Sequence, residues 1–360
     1  MNRVAWTVTG IAVVTAAVLL AGAARRNRVE AQWRPVGPGP ERVVEVPRGA
    51  GVAQISEILQ REGVVRDARA FRYGLERWAL EGKLQAGYYR LSPAMSAEEV
   101  ARTIASGKVA TIRWTVPEGL TVEQIAQRAA ETDLCTAKEF LAAARPDAVR
   151  ARGFDPKKAG FDLPRGTLEG YLFPETYSLQ YGWGAGEIVE AMLAQFQRSV
   201  VQGLADDLRA GGKPLHLIIT VASLIEREAR IEKDRAPIAS VIYNRLNRGM
   251  RLQIDATVLY ALGHHKARVL YRDLEVDSPY NTYRHAGLPP GPIASPGLAS
   301  IKAALHPART EYLYYVARKD GGHVFTRTPE EHVAARRLVR AEAAGLRTAA
   351  QDSPSATAGR

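Results

Sequence analysis

Between Leu215 and Leu262 the chain reads LHLIITVASLIEREARIEKDRAPIASVIYNRLNRGMRLQIDATVLYAL, and its opening run is the strictest constraint on folding in the sequence. Leu217, Val221, Leu224 and Ile225 recur at i, i+4, i+7 and i+8, the period of one helix face. Three residues further along that face stands Glu228. A carboxylate that continues an apolar stripe is costly to bury unpaired and tends to take up a proton instead. A carboxylic acid kept neutral near neutral pH is what a general acid requires. Glu226 lies two residues earlier, about 200° round the same helix, so the two carboxylates cannot share a face. Taken alone, the plainer reading is a pair of solvated helix charges.

With 360 residues the chain can bury two cores and carry tails. Its one cysteine, Cys135, excludes an internal disulfide and a Cys-based metal cage. A formal charge of +11 points to an anionic neighbour such as nucleic acid, a membrane surface or a wall polymer. The arginines are dispersed, with no basic stripe interleaved with aromatics, so nucleic acid is the least favoured of the three.

The N-terminus narrows the choice. Val4–Ala24 holds 21 residues without a charge, enough to cross a hydrocarbon core as a helix. A cleaved signal peptide is the alternative, because AGAA offers small residues at a cleavage point. The run exceeds a usual signal-peptide core, which favours an uncleaved anchor. Arg25, Arg26 and Arg28 follow the span and only Arg3 precedes it, so the positive-inside rule weakly opposes an extracytoplasmic C-terminal side.

The expected architecture is α+β: a transmembrane helix over 4–24, a linker over 25–41, a small α/β subdomain over 42–115, a mixed α+β domain over 116–345 that carries Glu228 on a helix, and a disordered tail over 346–360. VPRGAGVAQI (46–55) and VPEGLTVEQI (116–125) repeat in identical spacing, and LSPAMSAEEV (91–100) is a shortened copy. Each reads as strand, turn and capped helix, with Ser96/Glu99 and Thr121/Gln124 as capping boxes. The module resembles LysM-like domains that bind wall glycans; simple re-use of a good turn explains it equally well.

Further along, TLEGYLFPETYSL (167–179) sets aromatics around Glu169 and Glu175, a composition suited to stacking on sugars. RLQID (251–255) reads as extended, with Asp255 capping the next short helix and Gln253 free for substrate. Asp277–Gly297 holds five prolines and three glycines, which excludes a helix and suits a rigid groove lining. In it Tyr280, Asn281, Thr282 and Tyr283 supply stacking and hydrogen-bonding groups for an N-acetylated sugar. YLYYVARKDGGHVFTRT (312–328) reads as a hairpin turning at Gly321-Gly322, followed by a helix over about 330–344. No phosphate loop, metal-spaced His/Cys cluster or nucleophile elbow occurs, the pair His264-His265 reads as exposed, and no metal or cofactor is expected. Acidic chemistry beside aromatic loops, outside a membrane anchor, points to carbohydrate.

At this point ASLIEREA (222–229), ASVIYNRLNRGMRLQIDATVLYALG (239–263), PYNTYRHAGLPPGPIASPG (279–297) and HPARTEYLYYVARKDGGHVF (306–325) resemble the endolytic murein transglycosylase, or YceG-like, family over about residues 42–335. Ala229 and Ala256 depart from a Thr and a Pro frequent in that pattern. The resemblance implies a single-pass enzyme of the bacterial cytoplasmic (inner) membrane whose extracytoplasmic domain cuts nascent peptidoglycan between N-acetylmuramic acid and N-acetylglucosamine. It implies 1,6-anhydro ends, control of strand length, Glu228 as the essential acid, and work beside peptidoglycan synthases; Glu226 is then either a supporting partner of Glu228 or a surface charge. Gln253, Tyr280, Asn281, Thr282, Tyr283 and Glu175 are the expected substrate contacts. A lysozyme-like hydrolase pairing Glu228 with Asp255 or Glu175 stays open, as does a non-catalytic wall-binding scaffold.

Overall fold

A computed structural model describes residues 2–263, 266 and 269–351, with side chains between 15 and 342 in that set. The pair His264-His265 and the tail from residue 352 lie outside the described residues. The chain forms two compact units. One comprises the residues up to Trp114 plus Ser178–Gly182, the other Thr115–Tyr177 plus the residues from Trp183 onward.

The first unit contains α1 (Asn2–Ala31), β1 (Arg42–Val46), α2 (Val52–Arg61), α3 (Ala68–Arg77), β2 (Gly87–Leu91) and α4 (Ala97–Ala105). β1 pairs antiparallel with β2, Arg42 opposite Leu91 and Val46 opposite Gly87. The period of two turns Val44, Val46, Tyr89 and Leu91 inward, onto Leu59, Phe71, Leu75, Val100 and Ile104 from the helices. β3 (Thr111–Thr115) carries the chain into the second unit, and its partner β4 (Thr176–Gln180) runs back into the first.

Two N-terminal expectations change. α1 continues to Ala31, so the first part of the expected linker is helical. The next residues are strapped down rather than loose. The Trp33 indole N–H donates to Ala70 O at 2.8 Å and its ring packs on Trp78, while Arg66 holds the carbonyls of Pro35 and Val36. Among the described residues no helix is long and apolar enough to cross a membrane, and the side chains of the first half of the expected span, residues 4–14, lie outside that set.

The second unit contains α5 (Val122–Glu131), α6 (Ala137–Ala143), α7 (Pro146–Ala151), α8 (Pro156–Ala159), α9 (Ala185–Phe196) with a π-helical extension over Gln197–Gln202, α10 (Ala205–Gly211), α11 (Leu215–Glu228), α12 (Arg235–Asn247), α13 (Asp255–Leu262), α14 (Leu298–Leu305), the hairpin β5 (Tyr314–Ala317) and β6 (His323–Thr326), and α15 (Pro329–Gln351). The repeated segments all adopt strand, turn and helix. α4 and α5 open on the expected capping boxes, whereas α2 starts at Gly51 with no side-chain cap. The closing helix runs past Ala344 to Gln351, into the expected tail.

α11 is the centre of this unit. A one-sided stripe is expected, yet every residue from Ile218 to Ile225 is buried, because α12, α13 and α14 surround the helix. Its five large apolar side chains there contribute on the order of 10 kcal/mol before chain entropy is counted. The loop Thr167–Glu175 closes on it through Gly170, whose φ is +81°. A Cβ at Gly170 would meet Pro292 Cβ at 2.5 Å and Ile219 Cγ2 at 2.9 Å. Gly170→Ala is therefore expected to cost about 2–4 kcal/mol through left-handed strain and overpacking, read as a lowered urea midpoint at unchanged slope.

Candidate active site

Glu228 is the last residue of α11; Ala229 leaves the helix with φ −76° and ψ 126°. Three apolar turns bring the carboxyl into the interior and the helix stops under it. The residue is half-buried and its pKa is pushed up to about 7. Burial is the main cause, the charge of Asp255 adds to it, and the Tyr315 hydroxyl and Arg227 pull the other way. The free carbonyls at a helix C-terminus also disfavour a negative charge there.

β5 supplies the direct partner. The Tyr315 hydroxyl donates to Glu228 Oε2 at 3.1 Å. Tyr315 is held from behind by His323 of β6, whose ring meets it edge-on at 5.4 Å. His323 Nδ1 lies 2.9 Å from Asp234 Oδ2, both side chains at most 6% exposed, which pins the hairpin to the turn just after Glu228. Arg245 of α12 completes the frame. Its guanidinium donates to Leu313 O at 2.6 Å and Leu252 O at 2.7 Å, tying the start of β5 to the segment before α13.

That segment corrects one expectation. Ile254, not Asp255, is the N-cap of α13, and no side-chain capping bond is made. Asp255 is the first helical residue; its exposed carboxylate accepts from the Tyr283 hydroxyl and its charge acts on Glu228. The helix begins one residue early because Ile254 N–H is already taken by Thr282 Oγ1 at 3.0 Å. Gln253 is exposed, but its φ of +53° departs from the expected extended strand; its N–H donates to Thr282 O at 3.2 Å.

The loop residues divide. Tyr283 joins the Glu228 and Asp255 cluster, and Tyr280 is half-buried with its ring 4.8 Å from that of Tyr260. Asn281 and Thr282 have a different task from substrate contact. Both are buried, Asn281 Nδ2 donates to Leu274 O and Val276 O at 2.9 Å each, and Thr282 Oγ1 meets Thr257 Oγ1 at 2.9 Å. A loop without ladder bonds must satisfy its carbonyls with such side chains. Glu175 is exposed at the edge of β4, with its carboxylate on the N–H of Thr176, and no hydrogen bond or ion pair among the described residues joins it to Glu228.

Glu226 points away from Glu228, as its helical angle requires. Its Oε2 accepts from the N–H of Gly297, the N-cap of α14, at 3.0 Å, and its Oε1 lies 3.6 Å from Arg235. Glu118 crowds the same spot: a Cβ on Gly297 would fall on its carboxylate, and burial followed by the Glu226 charge raises its pKa. Glu226 thus locks α14 to the end of α11.

Two residues escape the sequence reading, and a third, Glu169, is read there only as part of an aromatic loop. Tyr315 is one aromatic in YLYYV, and nothing in that run separates it from its neighbours. Arg245 looks like part of an ordinary amphipathic helix. Glu169 does carry a signal, a carboxylate inside the apolar LEGYLF run; it is 1% exposed and burial lifts its pKa to about 8.

One near-neutral acid, a tyrosine donor, a second carboxylate in electrostatic reach and aromatic loops define an acid–base enzyme. Residues 44–338 match the YceG-like family. The chain is 39% identical over 303 residues to a protein of Bacillus subtilis (strain 168) named endolytic murein transglycosylase, covering 80% of this chain and 82% of that one. It is 32% identical over 313 residues to a Streptococcus pneumoniae (strain D39) protein of the same name, covering 80% of this chain and 56% of the other. The crystal structure of a YceG-like protein from Listeria monocytogenes aligns with a TM-score of 0.56 at 37% identity, over 82% of this chain and 99% of that one. The chain belongs to the YceG-like family.

Two outcomes follow from the electrostatics. Tyr315→Phe removes the hydrogen bond that favours ionised Glu228, so its pKa rises and the high-pH limb of activity moves to higher pH; a pH profile of kcat/KM reads this. Raised from 4.5 to about 7, Glu228 favours folding below pH 4.5, and that advantage is lost as pH rises towards 7. Glu228→Gln is therefore expected to be more stable than wild type by up to about 3 kcal/mol at pH 8 and equal to it at pH 4, by denaturant titration.

Proposed function

We propose that this enzyme, a lytic transglycosylase by class, cuts the glycan strands of peptidoglycan with Glu228 as its single proton-cycling group. The observation that carries the reading is the carboxyl at the end of α11, raised to about 7 and thus divided between acid and base at neutral pH. Protonated Glu228 donates to the glycosidic oxygen between N-acetylmuramic acid and N-acetylglucosamine, and that C–O bond breaks. The 2-acetamido group stabilises the developing oxocarbenium. The sugar's own C6 oxygen then bonds to the anomeric carbon and closes a 1,6-anhydro ring. Ionised Glu228 takes the C6 hydroxyl proton, which restores the acid with no water consumed.

Tyr315 fixes which Glu228 oxygen is spent on the protein, leaving Oε1 for the substrate. Gln253 and Tyr283 are proposed to contact the strand near the cut. The 21 uncharged residues of Val4–Ala24 support an inner-membrane anchor with the enzyme outside, where it would limit strand length beside a synthase. The β1–α2–α3–β2 arrangement supports a LysM-like glycan-binding role for the first unit. The proximity of Asp255 supports hydrolysis as the second reading, since two carboxylates are what a hydrolase needs.

Digestion of purified peptidoglycan with mass analysis of the ends separates these. Wild type is expected to leave anhydro ends, and reducing ends alone would sink the transglycosylase reading. Glu228→Gln is expected to lose at least about 100-fold in rate. Glu226→Gln keeps the chemistry and loses about 1 kcal/mol of stability, because the amide oxygen still accepts from the Gly297 N–H and only the charge partner of Arg235 is lost. Full activity in Glu228→Gln would overturn the assignment.

A further inference from the structure

Glu169 is the other carboxyl that burial keeps protonated, and the proton cycle at Glu228 makes no use of it. Its Oε2 accepts from the N–H of Val122 at 3.2 Å and from the Tyr260 hydroxyl at 3.3 Å. Its Oε1 is buried and makes no hydrogen bond of normal geometry, although the Gly170 N–H lies near enough to the carboxyl to favour its ionised form. With a pKa of about 8 the group carries a proton at neutral pH. Two donors already occupy Oε2, so the proton belongs on Oε1, which becomes an O–H without an acceptor. An unmet donor inside a fold is costly, and a ligand acceptor would relieve it.

Glu169 lines a cavity of about 540 Å³ with Tyr171, His216, Tyr280 and Pro290. The volume lies within the range of small-ligand pockets. The walls are preset: the Tyr171 hydroxyl lies 3.1 Å from His216 Nδ1, and His216 Nε2 lies 3.0 Å from Pro290 O. Asp162 and Arg165 at the rim offset each other, so no net charge selects an ion. Fixed aromatic walls around one neutral O–H suit a ligand with an apolar ring face and uncharged acceptor oxygens.

The cavity is remote from the proposed cut. His216 lies in the first turn of α11 and Glu228 ends that helix, about 18 Å away at 1.5 Å per residue. Tyr260, which donates to Glu169, lies about 7.5 Å along α13 from Asp255.

We propose that this cavity is a distal saccharide subsite, which takes an N-acetylated pyranose of the glycan strand on the Glu169 O–H and makes binding depend on strand length. The proposal rests on the reading that the strand is cut at Glu228. Oε1 is itself covered, so seating the sugar requires part of the cavity wall beside Glu169 to move.

The test uses the full-length Glu228→Gln protein in detergent, titrated calorimetrically with short and long stem-free glycan strands. Long strands are expected to bind at least about tenfold tighter than short ones, which is about 1.4 kcal/mol. That gain should vanish with added Glu169→Leu or Tyr280→Ala and persist with Glu169→Gln, whose amide keeps a donor in place. No gain with length overturns the proposal, as does a gain that survives Glu169→Leu in a cooperatively melting protein. A gain seen only with stem-bearing strands assigns the cavity to peptide and also overturns it. Should Glu169→Leu fail to fold, the contrast between Glu169→Gln and Tyr280→Ala decides. Strand cleavage by the Glu228→Gln protein would refute the catalytic assignment separately, without touching the Glu169 comparison.

Discussion

The second unit depends on one desolvation. Glu228 is useful as an acid only while water cannot stabilise its charge, and α11 arranges this by being buried on every side before it stops. The surrounding helices α12, α13 and α14 are what make the carboxyl's environment poor in solvent. The same burial that contributes to folding through Ile218–Ile225 therefore taxes folding at the next turn, as the ionised acid at alkaline pH. The core and the raised-pKa carboxyl are one piece of helix, so a change in its packing is also a change in the proton affinity of Glu228.

The irregular segments near Glu228 are held by side chains whose type suggests catalysis. Arg245 is spent on the carbonyls of Leu252 and Leu313, Asn281 on those of Leu274 and Val276, Thr282 on Ile254 and Thr257, and Glu226 on Gly297. These segments have neither helix nor ladder bonds, so their backbone groups must be met one by one. The Pro/Gly-rich loop is held here because Asn281 and Thr282 point inward, while Asp277, Arg284 and His285 stay exposed. Tyr280 and Tyr283 keep part of their surface open.

This division explains what could be read from the sequence. Glu228 was legible because an apolar period is a strong local signal and a carboxylate that continues it is an anomaly. The three strand–turn–helix segments were legible because capping boxes and alternation are local too. Asn281 and Thr282 misled, since composition cannot tell an inward amide or hydroxyl from an outward one. Asp255 was displaced by one position because a partner 28 residues away, Thr282, claims the N–H of Ile254. Tyr315 was invisible, since only the pairing of the hairpin and the His323–Asp234 contact aim it at Glu228. At Asp255, Thr282 and Tyr315 what the sequence left unread is a contact over long separation, whereas Asn281 is held by carbonyls only five and seven residues away.

The position of the Glu228 pKa near 7 follows from opposed influences of similar size. Burial and the Asp255 charge push the proton on, while the Tyr315 hydroxyl and Arg227 pull it off. A deeper site with no donor would give a permanent acid, able to protonate the leaving oxygen and unable to recover a proton from the incoming hydroxyl. A site with another cation would give a permanent base. In a cycle where one carboxyl must do both, the efficient value is the one at which neither half-step is steeply uphill. In the proposed cycle Tyr315 is then more than an anchor: by favouring the ionised form it brings a group that burial alone would hold as an acid back within reach of the return step. Asp255 acts in the opposite sense from an exposed position, tied to Tyr283, so salt that screens it should weaken the upward push while leaving the buried Tyr315 contact intact.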